Sequence, residues 1–336
     1  MKTFNHYRAI AALIIVNAFL LTSCKKDNNT EPEKTLERNL VFFIDTFRVY
    51  SSDLEGKGLK ALVDEDEKSG NNYINRITLS KNNKFIYGYK TASGSIQIKV
   101  ANADGSNKKA LKTLISTASV GFLGGFGDKI MYTTVDYSSS KPVTEIRTMS
   151  EDGSNDSPLS LPRPSLAASG GSTFVSTTED YSNAAPSFSF YVVKFKNGTW
   201  DETSSFNIPK VNGLLRSSAI SADGNTLVYV AAADYTTLTY DVFVVDISKR
   251  GNTAKKVLSH TFPTTGDGAV QYPPQLSIAL ANGNANVLAG YGVDIDKQRY
   301  ATKNDYYYVQ NIDLDKAIIS KKWKIAGEYG GGLLGK

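Results

Sequence analysis

The chain has 336 residues, 41% hydrophobic and 21% charged, with a formal net charge of +5. That is enough apolar material for a core, and no basic run interleaved with aromatics marks a nucleic-acid surface. One cysteine and two histidines exclude an internal disulfide and a zinc site built on several histidines or cysteines.

Lys2 and Arg8 precede an apolar run from Ala9 to Leu21. The run is too short for a comfortable membrane span and reads as the core of a secretory signal. It ends in Leu21-Thr22-Ser23-Cys24. This resembles the bacterial lipoprotein signal, which implies cleavage after residue 23 and acylation of Cys24, with palmitate among the chains. Loss of Lys2 and Arg8 takes the formal charge from +5 to +3. Several acyl chains on one residue give firm anchoring. Residues 24–38 are charged and nearly free of apolar side chains, which predicts a flexible tether. Lys25 stands where many inner-membrane lipoproteins carry aspartate, so the resemblance implies the outer membrane, with periplasmic and surface orientation both open. The charged stretch is also similar to the surface-export signals of Bacteroidetes lipoproteins.

From residue 39 the sequence repeats. The unit is clearest over 73–117: Ile74–Ser80, Phe85–Tyr89, Ser95–Ala101 and Lys108–Leu114 are strand-like. A tight two-residue hairpin is expected at Asp104-Gly105. Comparable first turns occur at Gly127-Asp128, Gly170-Gly171, Asp223-Gly224 and Asn282-Gly283. Comparable last turns occur at Glu55-Gly56, Asp152-Gly153, Asn197-Gly198 and Gly251. No segment of helical period reaches ten residues beyond the leader. The expected fold is all-β, a six-bladed β-propeller of four-stranded blades, with blades at about 39–70, 73–117, 118–165, 166–212, 213–262 and 270–326.

The phrases Asn102-Ala-Asp-Gly-Ser-Asn107 and Ser221-Ala-Asp-Gly-Asn-Thr-Leu-Val-Tyr229 resemble the repeats of TolB-like propellers. The resemblance implies the propeller architecture over roughly 39–330, and a protein-interaction scaffold as one function. Ala222 replaces the family's proline.

The first blade has only three strand-like runs, Leu40–Ile44, Phe47–Ser51 and Gly58–Val63. Its innermost strand is missing. Residues 327–336 are therefore expected to return to it and close the ring, leaving no open sheet edge.

The second strand of a blade repeatedly ends in aspartate, often followed by tyrosine: Asp136-Tyr137, Asp180-Tyr181 and Asp234-Tyr235, with Asp45 and Asp294 at the same place. Tyr89-Lys90 stands there in blade two. These positions should ring one mouth of the central channel. In one reading each aspartate accepts N–H bonds within its loop and each tyrosine packs between blades. In the other the ring binds a ligand, with tyrosines as contact area and carboxylates as acceptors or cation ligands. The loops 135–142, 179–187 and 291–305 are long and lie on that same face.

His260 is the one histidine left after cleavage and is expected at the outer surface. The glycine-rich Gly121–Gly127 reads as a close-packed inner strand. No catalytic residue, cofactor or metal ligand is assigned; calcium is the ion an aspartate ring would take. The expected function is a monomeric, lipid-anchored envelope protein that binds a ligand or partner protein and does not catalyse. The alternatives are a calcium-dependent propeller hydrolase such as a lactonase, and a TolB-like scaffold.

Overall fold

The computed structural model describes residues 40–45, 47–65, 72–115, 117–160, 166–182, 186–197, 199–234, 237, 239–261, 276–281, 284–293, 306–325 and 329–335. The chain falls into two units, Met1–Thr35 and Leu36–Lys336, and the described residues all belong to the second. The signal segment, Cys24 and the tether lie outside them.

Blade one holds β1 (Leu40–Asp45), β2 (Arg48–Asp53) and β3 (Lys60–Asp64). Blade two holds β4 (Tyr73–Leu79), β5 (Phe85–Lys90), β6 (Ile96–Ala101) and β7 (Lys109–Thr113). Blade three holds β8 (Ala118–Phe126), β9 (Lys129–Asp136), β10 (Val143–Ser150) and β11 (Ser157–Pro158). Blade four holds β12 (Leu166–Gly170), β13 (Thr173–Asp180), β14 (Ser187–Lys196) and β15 (Thr199–Asn212). Blade five holds β16 (Leu214–Ile220), β17 (Thr226–Ala232), β18 (Thr239–Asp246) and β19 (Lys255–Thr261). Blade six holds β20 (Leu276–Ala281), β21 (Asn286–Val293), β22 (Tyr306–Asp313), and an outer strand split into β23 (Ile318–Ile319) and β24 (Trp323–Ile325). The last strand, β25 (Tyr329–Gly335), pairs antiparallel with β1 and supplies the missing inner strand of blade one.

Position in the blade dictates composition. Second strands are covered on both faces, so β5 and β17 are buried almost throughout and their sequences are nearly continuous apolar runs. Third strands alternate, as in β6. Outer strands such as β7 and β19 are mostly exposed and carry lysines, which keep their free edges from pairing with another chain.

The cores lie between blades. Among the described residues six apolar clusters fill the six junctions. Phe42, Ile44 and Val49 of blade one meet Ile77, Phe85 and Tyr87 of blade two. The sixth cluster joins Ala279, Leu288 and Val309 of blade six to Phe43 and Leu333 of blade one. Each buried side chain of this size contributes roughly 1.5–3 kcal/mol. The inner strands lie against one another in the order β25, β4, β8, β12, β16, β20 and back to β25, so the ring is closed.

Two expectations are corrected. The Asp104-Gly105 hairpin is not a two-residue turn. Gly105 N–H donates to Asn102 O at 2.9 Å, and only Gly105 of the pair takes a positive φ, at 84°. This is a three-residue loop with glycine in the left-handed place. A Cβ on Gly105 would fall 1.5 Å from the Leu62 carbonyl of blade one, so close blade approach requires the same residue. His260 is not a free surface group either. It is half-buried in β19, with Nε2 3.3 Å from Gln310 Oε1 of blade six. Burial pulls its pKa down, and the Gln310 contact opposes this.

Candidate functional site

Antiparallel strands give the ring two unlike faces. The turns after first strands and after third strands lie on one side, the turn face. The loops after second strands share the other side, the loop face, with the connections between blades.

On the loop face the structure separates the roles of aspartate and tyrosine. Asp136 Oδ1 accepts from Ser138 N–H at 2.9 Å and from Thr117 Oγ1 at 2.8 Å, and Oδ2 accepts from Ser138 Oγ at 3.1 Å. Thr117 directly precedes β8, so this aspartate also fixes the end of the β8–β9 pair. Asp180 repeats the pattern, accepting from Ser182 N–H at 3.0 Å and Ser182 Oγ at 2.5 Å, with Lys210 Nζ at 3.2 Å. Asp234 does the same one residue later, with Thr237 N–H at 2.7 Å and its hydroxyl at 2.8 Å. The carboxyls of Asp136 and Asp180 sit low: Thr117 is the largest cause for Asp136, and Ser182 holds Asp180 at about 2.

These aspartates therefore fold their own loops, as the first reading expected. Tyr137 and Tyr181 do not pack between blades. Tyr137 is 59% exposed and Tyr181 is 52% exposed. Aspartate at position i and serine at i+2 pin the two ends of the turn, and in these two loops the residue between them is exposed.

Other exposed side chains gather nearby. Tyr137 N–H donates to Thr117 O at 3.0 Å, next to the connection that carries exposed Ile115. Exposed Val143 pairs directly across from Asp136. Tyr73, at the start of β4, is exposed beneath the Lys90 ammonium, 5.5 Å from its ring centre. Of the eight large apolar side chains exposed among the described residues, these five lie on the loop face of blades two to four. Leu59, Trp200 and Ile318 are scattered over the turn face of blades one, four and six. Surface of this kind, concentrated on neighbouring blades, marks an interaction site more than scattered residues do.

Among the described residues no three carboxylate, histidine or cysteine groups converge. Tyr235 and Asp294, and the Asp45 side chain, lie outside the described residues. The sequence alone missed Tyr73, Ile115 and Val143, because their exposure depends on where strands begin.

No protein-family profile and no curated protein matches the sequence. Solved structures do. A candidate 6-phosphogluconolactonase from Bacteroides fragilis is 11% identical at a TM-score of 0.48, over 90% of this chain and 99% of that one. A candidate TolB from Agrobacterium tumefaciens is 11% identical at 0.45, over 87% and 91%. A protein of unknown function from Bacteroides caccae is 10% identical at 0.46, over 89% and 98%. The chain spans about half the length of the isopeptidase and prolyl endopeptidase structures it also matches. All of these are likenesses of fold. The six-bladed propeller expected from the repeats is present.

Proposed function

We propose that this protein is a lipid-anchored envelope protein of the outer membrane that binds a partner through the loop face of blades two to four and performs no catalysis itself. The observation that carries the proposal is the pair of Asp-Tyr-Ser turns that hold Tyr137 and Tyr181 in water, flanked by Tyr73, Ile115 and Val143. Tyrosine offers large, stiff contact area at little entropic cost, and its hydroxyl stays useful at a wet boundary. The aspartates support a turn-holding role rather than chemistry, because Oδ1 of each accepts from its own loop. The sequence Leu21-Thr22-Ser23-Cys24 supports the anchor.

Two experiments test the two halves. Replacing Tyr137 and Tyr181 together by alanine should remove capture of the partner from detergent-solubilised envelope and leave the melting temperature within about 1 °C, since exposed side chains contribute little to folding. Retained capture rejects the face. Cys24→Ala should abolish incorporation of radiolabelled palmitate and move the protein out of the membrane fraction; a labelled variant rejects the anchor.

A further inference from the structure

The turn face holds a second feature, independent of the tyrosines. A cavity of about 490 Å³ opens between the β14–β15 hairpin of blade four and the β18–β19 turn of blade five. Lys194, Lys196 and Arg250 line it with Asp201 as the one carboxylate, so the lining carries three positive charges against one negative. Asp201 is already engaged. Its Oδ1 accepts from Thr203 N–H at 3.1 Å and Thr203 Oγ1 at 2.6 Å, and its Oδ2 accepts from Ser204 Oγ at 2.6 Å. Among the described residues none of the three cations makes an ion pair.

The cations keep donors in reserve. Lys194 is half-buried and gives two of its three N–H bonds, to Thr173 Oγ1 at 2.9 Å and Gly224 O at 3.2 Å. Desolvation lowers its pKa, with Asp223 and Asp246 opposing more weakly. Arg250 reaches Ser205 O at 2.6 Å, and the Thr203 carbonyl, through Nη2 alone. Its Nη1 and Nε make no bond to the hairpin. Asp223 and Asp246 act on the Lys194 ammonium from beyond ion-pair distance, so an anion in the cleft would be its first direct counter-charge. Phe206 adds an apolar wall, and the volume is that of a small organic ligand rather than of a bare ion.

We propose that this cleft between blades four and five is a binding site for a small organic oxyanion, a phosphate or sulfate ester with a flat apolar body. Lys194 and Arg250 hold the oxyanion, Lys196 adds attraction at the rim, and Phe206 meets the body.

The test is calorimetry on the full chain in detergent, with phenyl phosphate as probe beside inorganic phosphate, phenyl sulfate and phenol. Phenyl phosphate or phenyl sulfate should bind, inorganic phosphate more weakly, phenol not at all, and binding should weaken as salt rises. Lys194→Met should lower affinity roughly tenfold, as loss of one charge-assisted bond does. Lys194 also links two blades, so Lys196→Glu is the second variant. It changes an exposed rim residue and should abolish binding with an unaltered melt. Tyr137→Ala should change nothing, which keeps this site separate from the loop face. Failure of both esters to bind at millimolar concentration overturns the site. Undiminished binding by the Lys194→Met and Lys196→Glu variants overturns it equally.

Discussion

A chain ending at residue 326 should melt at least 10 °C lower than the full protein. The strand it loses, β25, is the inner strand of blade one and touches both neighbours, β4 and β20. Leu333 is buried in the cluster formed with Phe43, Ala279 and Leu288, and Leu334 packs partly buried against the neighbouring one. Two such side chains contribute roughly 3–6 kcal/mol. The ladder to β1 is lost as well, and β1 is left as an open apolar edge that invites aggregation. At roughly 2 °C per kcal/mol for a domain of this size, the drop is about 10 °C before cooperativity adds to it. Gly335→Val asks the same question without truncation. A Cβ there would stand 2.3 Å from the Leu280 carbonyl of blade six. The substitution should push the first and last blades apart and lower the melt in the same direction.

Glu65→Ala should destabilise the protein by about 3–5 kcal/mol, the usual cost of leaving a buried charge without its partner. Glu65 is 8% exposed and follows the outer strand of blade one. Lys99 of blade two donates to Oε2 at 2.5 Å, and the Tyr87 hydroxyl donates to Oε1. The Lys99 ammonium also lies 4.9 Å from the ring centre of Tyr89, whose hydroxyl accepts from Asn72 at 2.8 Å. Burial, then the bond to Glu65, pushes the Tyr87 phenol well above its ordinary range. Without Glu65 the ammonium and the phenol are stranded between two blades. Glu65→Leu with Lys99→Met should therefore recover most of the loss, because an apolar pair of similar volume removes the stranded charge. Chemical denaturation of the single and double variants measures this; equal loss in both would locate the energy in packing instead.

The propeller is legible because its turns are chemically marked. Gly105, Gly153 and Gly224 all take positive φ, at 84°, 88° and 73°, and each punctuates a strand pair visible in the sequence. Closure is legible because blade one lacks a first strand and the tail carries one. Blade four is harder to read. Its β14–β15 hairpin shifts register twice, so the alternation that marks other strands is broken. In blade six, Ser320 to Lys322 interrupt the outer strand, which then returns as Trp323–Ile325 to send the indole N–H to Leu54 O of blade one at 3.2 Å.

The site is legible in part. Aspartate followed by tyrosine at the end of a second strand is a local signal, and Asp136 and Asp180 do close β9 and β13. Their spacing to a hydroxyl residue two positions on recurs on the turn face at Asp152-Gly153-Ser154, Asp201-Glu202-Thr203 and Asp246-Ile247-Ser248, with the same hydrogen bonds. That spacing alone therefore marks a turn. What distinguishes the loop-face copies is the tyrosine at the apex, and exposure of a tyrosine is a tertiary fact. Glu65 fails in the opposite sense. It stands in the run Asp64-Glu65-Asp66-Glu67, which reads as solvated, yet one residue of that run enters a blade junction.

Recognition through the loop face of blades two to four can be read with a photo-reactive phenylalanine analogue placed singly at Tyr137, Tyr181 and Trp200, irradiated in the intact envelope and analysed by mass spectrometry. One common adduct is expected at the first two positions and none at Trp200, which is exposed on the opposite face. Equal capture at Trp200, or no adduct at either tyrosine position, would contradict it.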